Sequence, residues 1–223
     1  MNYLVVVAHP DDETLGAGAT IHKSIGEGHK VAVAIMSGHA SARANISETL
    51  EDDEKKAMGI LGVGKVYHAD FPNIKMNTVP HLELVQFIEQ CIFDWLAEAI
   101  ITHHPSDVNI DHQETSHAVN AACRLFQRTD GVPKLRELLY MEALSSTEWS
   151  LDSSVNRFTP NTFVEIGEEG LAVKLKALSA YIGVMRPYPH PRSKEGITGL
   201  AAYRGCQAGI NFAEAFECVF RTD

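Results

Sequence analysis

An imidazole and three carboxylates are crowded into residues 9–13, which read His-Pro-Asp-Asp-Glu. Carboxylates this close repel one another as anions unless a proton or a cation lies between them, and a divalent metal is the simplest such cation. His9 and Asp12 are three residues apart on one turn, so both side chains can face the same cation. Histidine nitrogen and carboxylate oxygen are both common zinc ligands, and a catalytic zinc usually has three protein ligands. A surface turn with scattered acids is the alternative, since Asp and Pro are ordinary turn residues.

The element that must position this turn is a short apolar run at residues 3–8, Tyr-Leu-Val-Val-Val-Ala. A run this short, rich in β-branched residues and followed closely by a proline, predicts a buried central strand. Open α/β sheets bind their ligands in the crevice beyond the carboxyl ends of the strands. The candidate ligands therefore follow a strand at the end where such a sheet carries its chemistry.

A second polar motif lies near the middle of the chain, at residues 104–112, and reads His-Pro-Ser-Asp-Val-Asn-Ile-Asp-His. It follows a short apolar run at residues 99–102 that predicts another strand, and it leads into a predicted helix. His112, at the head of that helix, would supply a third ligand from a neighbouring strand end.

The remaining chain alternates between strand and helix patterns. Strands are predicted over residues 3–8, 30–36, 65–69, 99–102, 138–144, 162–166 and 214–220. Helices are predicted over residues 15–28, 51–61 (with a start signal at Ser47), 79–98, 111–128, 171–185 and 193–209. This order implies right-handed crossovers. We predict an α/β fold with a Rossmann-like, mainly parallel sheet and helices on both faces, as a single domain over residues 1–223.

Composition limits the partners of the protein. A formal charge of −10 argues against nucleic acid or an anionic membrane surface as the main partner. No apolar run approaches the length of a membrane span, and no basic-plus-apolar leader precedes the first strand, so we expect a cytoplasmic protein without membrane insertion. The cysteines fit reduced core thiols better than a metal site or a disulfide framework; they are Cys91, Cys123, Cys206 and Cys218. A homo-oligomer is left open.

A dinucleotide site after the first strand is disfavoured. Residues 16–18 read Gly-Ala-Gly, but the fingerprint needs its glycines in the turn directly after the strand and a third glycine beyond them. The turn here carries a proline and three carboxylates, which would repel a pyrophosphate.

The segment AHPDDE at residues 8–13, together with the later motif ending in Asp-His, resembles the two signatures of the PIG-L/LmbE-like zinc N-deacetylases. That family removes acetyl groups from N-acetylglucosamine units in glycolipid, thiol-cofactor, antibiotic and polysaccharide pathways. The resemblance covers most of the chain, although only these two segments are specific. It implies that His9, Asp12 and His112 bind Zn²⁺ and that Asp11 is the general base. A free carboxylate suits that role, since one bound to the metal takes up a proton less easily. Iron in place of zinc is left open.

The chain departs from the family pattern at Asn109, where many members have a histidine that is thought to stabilise the oxyanion. An amide can donate a hydrogen bond to that oxygen but is not a useful acid. His104 and His190 are the candidates for an acid role. Asp111, directly before the third ligand, is a candidate to orient an imidazole or another polar neighbour.

Four further residues are candidates for substrate binding. Arg43 follows the second predicted strand, and Arg192 lies in the segment 186–193, which contains three prolines. Either arginine could bind sugar hydroxyls or a phosphate. That segment is interpreted as a wall of the substrate pocket, with a plain connector as the alternative. Asp70 and Asn73 follow the third predicted strand and are also expected to reach the sugar.

Three functions are compatible with these residues. We favour a zinc-dependent N-deacetylase acting on a small-molecule N-acetylglucosamine-type sugar or its conjugate. The second is an amidase on another acyl amide, such as a thiol-sugar conjugate or an N-formyl sugar. The third is a catalytically silent carbohydrate-binding protein, which would have no need of Asp11.

Overall fold

The computed structural model describes residues 1–37, 50–152 and 154–223. Within these ranges it contains seven strands and six α-helices. The strands are β1 Asn2–Val7, β2 Lys30–Ile35, β3 Lys65–His68, β4 Ala99–His103, β5 Glu137–Met141, β6 Thr162–Glu165 and β7 Ala213–Arg221. The helices are α1 Asp12–Gly26, α2 Leu50–Leu61, α3 His81–Trp95, α4 Ile110–Ala122, α5 Gly167–Ala180 and α6 Lys194–Ala208. None of these helices is long and apolar enough to cross a membrane.

The strands form one sheet in the order β3-β2-β1-β4-β5-β7-β6. The first five strands in this order run parallel to one another, and β7 is antiparallel to both β5 and β6. Val6 in the centre of the sheet pairs with Ala34 on one side and Thr102 on the other. The predicted α/β fold with a mainly parallel sheet is therefore confirmed.

Both faces of β1 are buried, which explains its uninterrupted apolar sequence. Leu4 and Val6 belong to a core cluster that includes residues of α3 and α4. Val5 and Val7 point to the opposite cluster, which includes residues of α1, α2 and α5. A strand buried on two faces has no polar alternation.

The chain order reverses between β1 and β4, because β2 and β3 lie on one side of β1 while β4 and β5 lie on the other. The loops after two such strands diverge and leave a crevice between them, which is the usual ligand site of this architecture. The imidazole of His103 joins the two strand ends, since its Nε2 accepts a hydrogen bond from the backbone N–H of Ala8 at 3.0 Å.

Several helix boundaries differ from the predicted ones. The helix predicted over residues 79–98 ends at Trp95, because Leu96 adopts a left-handed conformation with φ 52°. The helix predicted over residues 111–128 ends at Ala122, and a separate 3₁₀ turn follows at Leu125–Gln127. The predicted start signal at Ser47 lies outside the described residues.

Candidate active site

A pocket of about 660 Å³ opens at the carboxyl ends of β1 and β4. Most of the predicted site residues line it: His9, Asp11, Asp12, Asn73, Asn109, His112, His190 and Arg192. Asp111 is buried behind His9 and does not line the pocket. Asp70 is exposed and does not line it either. Arg43 lies outside the described residues.

His9, Asp12 and His112 form a candidate metal site, with one ligand atom from each lying within 4.8 Å of the others. The Oδ2 atom of Asp12 is 3.3 Å from Nδ1 of His9 and 3.2 Å from Nε2 of His112. Asp12 and His112 are almost fully buried, whereas the side chain of His9 retains 13 % exposure. The donor set is the one that zinc prefers, and it leaves the pocket side open for a water or a substrate.

A carboxylate behind His9 fixes the orientation of its ring. The Nε2 atom of His9 lies 3.0 Å from Oδ2 of Asp111, so Nδ1 faces Asp12. Asp111 also accepts hydrogen bonds from the backbone N–H groups of Ile74 at 2.5 Å and Met76 at 3.0 Å. Burial lowers the pKa of His9, but the hydrogen bonds to Asp111 and Asp12 outweigh this effect and raise it to about 9.

His112 has a matching partner in Asp107, whose Oδ2 lies 3.2 Å from Nδ1 of His112. Asp107 is fully buried and accepts hydrogen bonds from the hydroxyls of Thr147, at 2.7 Å, and Ser146. Burial raises the pKa of Asp107, but the hydrogen bond to His112, the positive charge of that imidazole and the hydrogen bond from Ser146 together outweigh burial and lower the pKa to about 2. Asp107 was not among the residues predicted for the site. The available signal was a carboxylate five residues before His112 in the same motif.

The electrostatics of the cluster favour positive charge at its centre. Burial lowers the pKa of His112, but the carboxylates of Asp12 and Asp107 outweigh it and raise the pKa to about 10. The pKa of Asp12 is held well below its usual value, because contacts with His112 and His9 outweigh its burial. A divalent cation would take the place of the protons that these groups share, so the residues fit a metal.

His103 closes the wall behind the cluster. Its ring stacks on that of His112 with a centroid distance of 3.8 Å. Burial, reinforced by the positive charge of His112, lowers the pKa of His103 to about 3, so this imidazole is neutral near pH 7. His103 was not among the residues predicted for the site, although it lies between the predicted strand over residues 99–102 and the second motif.

The backbone turns sharply at Asp11, shortly after β1. Asp11 and Asp12 therefore point in different directions. Asp11 has φ 98°, in the left-handed region, and is the residue before the first turn of α1. Its N–H donates to Oε2 of Glu13 at 3.1 Å, and the hydroxyl of Tyr181 donates to Oε1 of Glu13 at 2.9 Å. Few residues other than glycine adopt this conformation without such support. The buried Glu13–Tyr181 pair therefore holds the turn that separates the two aspartates.

Arg192 contacts Asp11 across the pocket, with Nη1 3.2 Å from Oδ2. Its Nε donates to Oγ of Ser145 at 2.7 Å, which fixes the guanidinium. Burial raises the pKa of Asp11 to about 7; Arg192 opposes this rise and Asp12 adds to it. His190 is exposed at the pocket edge, and its Nδ1 accepts from the backbone N–H of Arg192 at 3.0 Å.

Asn109 caps helix α4, since its Oδ1 accepts a hydrogen bond from the backbone N–H of Asp111 at 2.9 Å. This bond shows which end of the amide is the oxygen, so the NH₂ group is the end that can donate into the pocket. The Oδ1 atom of Asn73 is buried and has no hydrogen-bond partner within the described parts of the chain. A buried acceptor without a partner in a pocket wall is a position where a ligand donor would be satisfied.

Comparison with known proteins assigns the chain to a family. The family model described as PIG-L, GlcNAc-PI de-N-acetylase, matches residues 4–123, which is more than half of the chain. The chain is similar to YaiS, an uncharacterized deacetylase of Escherichia coli (strain K12), with 26 % identity over 186 residues, 80 % of this chain and 89 % of YaiS.

Two solved structures illustrate the range of the fold. The N,N′-diacetylchitobiose deacetylase of Pyrococcus horikoshii superposes with a TM-score of 0.78 at 17 % identity, covering 98 % of this chain and 83 % of that one. GalB, the 4-carboxy-2-hydroxymuconate hydratase of Pseudomonas putida KT2440, superposes with a TM-score of 0.77 at 20 % identity, covering 100 % and 97 %. The fold alone therefore does not select a reaction. The family match and the His/Asp/His cluster together do, and the chain belongs to the PIG-L family of metal-dependent N-deacetylases.

Proposed function

We propose that this enzyme hydrolyses the acetamide of an N-acetylglucosamine-type amino sugar or its conjugate and releases acetate and a primary amine. The observation that carries the proposal is the pairing of the candidate metal site with a separate carboxylate, Asp11, in the wall of the same pocket. A binding protein without activity would not need that second carboxylate. Zn²⁺ is the metal that best fits the donor set of His9, Asp12 and His112.

A divalent metal at this position supplies Lewis acidity toward the acetamide carbonyl and lowers the pKa of the attacking water to about 7. Two buried carboxylates fix the orientation of the histidine ligands for that role. Asp111 and Asp107 each fix one imidazole by its outer nitrogen, so His9 and His112 present a lone pair inward.

Asp11 serves as the general base. The rise of its pKa to about 7 places it near neutral pH, where a base is both ionised and able to take a proton. It removes a proton from the attacking water and returns it to the amine nitrogen as the carbon–nitrogen bond breaks. The guanidinium of Arg192, 3.2 Å away, keeps part of the Asp11 population ionised.

Asn109 donates to the oxyanion of the tetrahedral intermediate. Its Oδ1 is used by the cap of α4, so only the NH₂ group can serve the pocket, and an NH₂ group is the donor that an oxyanion requires. The cap also fixes the side chain before substrate binds, which is the condition under which such a donor is most effective. His190, at the rim, remains the proposed second acid.

Sugar hydroxyls are assigned to Asn73 and Arg192. Within the described residues the Oδ1 atom of Asn73 has no partner, so it can accept from a hydroxyl, and the guanidinium of Arg192 can donate to one. Asp70 is not part of this group, because it is exposed and does not line the pocket. Arg43 stays a sequence-based candidate.

The proposal is tested with a panel of N-acetylated sugars, their glycosides and nucleotide-sugars, incubated with zinc-loaded protein. Appearance of a primary amine together with an equal amount of acetate is the expected result, and the Asp11→Asn variant is the control for contaminating activity. If the panel is inert while an N-formyl sugar or another acyl amide is cleaved, the enzyme is an amidase of different specificity. If sugars bind and nothing is cleaved, it is a binding protein.

A further inference from the structure

The pocket has an apolar mouth that the reaction itself does not require. We propose that this mouth binds an apolar aglycone carried by the sugar, through the side chains of Ile74, Val108 and Ile182. The proposal rests on the function proposed above and specifies its substrate: a glycoside whose aglycone is a hydrocarbon.

Three large aliphatic side chains line the pocket and are nevertheless open to solvent. Ile74 is 43 % exposed, Val108 is 55 % exposed and Ile182 is 67 % exposed. They come from three separate parts of the chain: the loop after β3, the loop after β4, and the segment after α5. Single exposed apolar residues are ordinary, but several that converge on one pocket mark a ligand surface.

Ile74 is also held in an unusual backbone conformation. Its φ is 58°, in the left-handed region, which β-branched residues rarely adopt. The backbone N–H of Ile74 donates to Oδ2 of Asp111 at 2.5 Å, and Asp111 in turn contacts the candidate ligand His9. A glycine or asparagine would adopt this turn with less strain. An isoleucine that is both strained and exposed contributes little to the core, so its side chain is better explained by contact with a ligand.

The inner part of the pocket is polar, which gives the cavity two chemically different ends. The metal cluster and Asn109 lie at the carboxyl ends of the strands, and the guanidinium of Arg192 is already bound to Asp11 and Ser145. Arg186 and His190 are also exposed on the pocket lining, and the three aliphatic side chains form one apolar patch at the mouth. An amphipathic glycoside, with its sugar inward and its hydrocarbon at the mouth, matches both ends.

A homologous series of alkyl β-glycosides of N-acetylglucosamine tests the proposal. Methyl, butyl and hexyl glycosides are compared with zinc-loaded protein below their micelle-forming concentrations. We expect kcat/KM to rise with each methylene, by up to about fourfold where the methylene is fully buried. A flat series overturns the proposal. An increase that occurs only when lipid vesicles are present also overturns it, because the apolar mouth would then be a membrane-docking surface.

Substitutions connect the effect to the named side chains. Val108→Thr exchanges a methyl group for a hydroxyl at nearly constant volume, Ile182→Thr replaces an ethyl group with a hydroxyl, and Ile74→Asn suits the left-handed turn. Each should reduce the ratio of kcat/KM for the hexyl glycoside to that for the methyl glycoside by about tenfold. Val219→Thr is the matched control, since Val219 is 43 % exposed on β7 and lies away from the pocket. If the control reduces the ratio as strongly as the mouth variants do, the assignment is wrong.

A binding measurement separates this proposal from the catalytic one. Hexyl and methyl β-glucosides, which have no acetamide, are titrated calorimetrically into the wild type and Val108→Thr. Tighter binding of the hexyl glucoside, lost in the variant, supports the apolar mouth even if no acetamide is cleaved. Equal binding of the two glucosides refutes the apolar mouth and leaves the deacetylase proposal intact.

If Val108→Thr or Ile182→Thr changes the mass of the protein in sedimentation, the patch is a contact between copies of the chain, and the proposal fails.

Discussion

Arg192 and Asp11 are 181 residues apart in sequence and meet across the pocket at 3.2 Å. The positive guanidinium favours the ionised form of the carboxyl and so opposes the effect of burial on the pKa of Asp11. Loss of this partner should therefore raise that pKa further. Because a general base must be ionised, a higher pKa moves the acidic limb of the pH–rate profile to higher pH.

Arg192→Met is accordingly expected to shift the acidic limb of kcat/KM upward in pH, whereas Arg192→Lys, which retains the positive charge, should shift it less. The measurement is kcat/KM across the neutral range for the three proteins. A rise in KM with an unchanged pH profile would mean that Arg192 contributes to substrate binding alone and does not tune the pKa of Asp11.

His112→Ala should abolish stoichiometric zinc binding, because a site with two protein ligands holds zinc far less tightly than one with three. Elemental analysis of protein purified with zinc is the direct measurement. His117→Ala is the matched control, since His117 is an exposed histidine on the same helix. Full zinc occupancy in His112→Ala would remove His112 from the metal site.

Asp11→Asn should retain zinc and lose activity by about 10²–10⁴-fold, the usual contribution of a general base. Metal content and turnover must be measured on the same preparation. If zinc and activity disappear together, Asp11 is a metal ligand, and the division of roles between the two adjacent aspartates is reversed.

Asn109→Ala should lower kcat by about 10²–10³-fold with little change in zinc content, since one oxyanion donor is removed. The amide also caps α4, and loss of an N-cap costs about 1 kcal/mol of folding free energy. Asn109→Asp retains a capping oxygen and, when ionised, has no hydrogen-bond donor, so it should recover stability but not activity. Recovery of both would restrict Asn109 to a structural role.

An amide does not titrate near neutral pH, so any basic limb of the profile requires another group. His190 is the proposed acid, and His190→Ala should remove or shift that limb while the Asn109→Ala profile keeps its shape. A His190→Ala profile identical to that of the wild type would leave the acid role with Asp11 alone.

Tyr181→Phe removes the hydroxyl that donates to buried Glu13, whose other oxygen supports the backbone of Asp11. Leaving a buried acceptor with one donor fewer costs about 1–3 kcal/mol in the free energy of unfolding. We also expect a lower kcat with an unchanged KM, because Asp11 loses part of its support. A loss of stability without any change in kcat would show that the pair supports the fold alone.

The sequence was sufficient for the fold and for the candidate ligands because both depend on local pattern. The run at residues 3–8 shows that β1 is buried on two faces, and His9 and Asp12 are brought together by a single turn. Asn73, predicted from its place after β3, lines the pocket. Asp70, in the same loop, does not line the pocket, because β3 is two strands away from β1 and the chain must first run back toward the crevice.

The supporting contacts could not be predicted in this way. Tyr181, which donates to Glu13, lies 168 residues further along the chain. The hydroxyls that donate to Asp107 belong to residues of the loop after β5. Such contacts depend on how helices and loops pack on the sheet. Neither the hydrophobic periodicity nor the residue spacing of the sequence predicts them. The different directions of Asp11 and Asp12 also depend on a backbone angle that the sequence of the turn does not specify.

Asp111 and His112 are consecutive residues at the start of α4, and each governs a different candidate ligand: Asp111 aligns His9, and His112 presents its own imidazole. A displacement of this one helix end would therefore disturb both histidines together. Two short segments, residues 8–13 and 107–112, contain all three candidate ligands and both aligning carboxylates. Grafting the site onto another parallel sheet would require two adjacent strand ends and a faithful copy of one helix start. It would also require donors in place of the backbone N–H groups that bind Asp111 and the hydroxyls that bind Asp107.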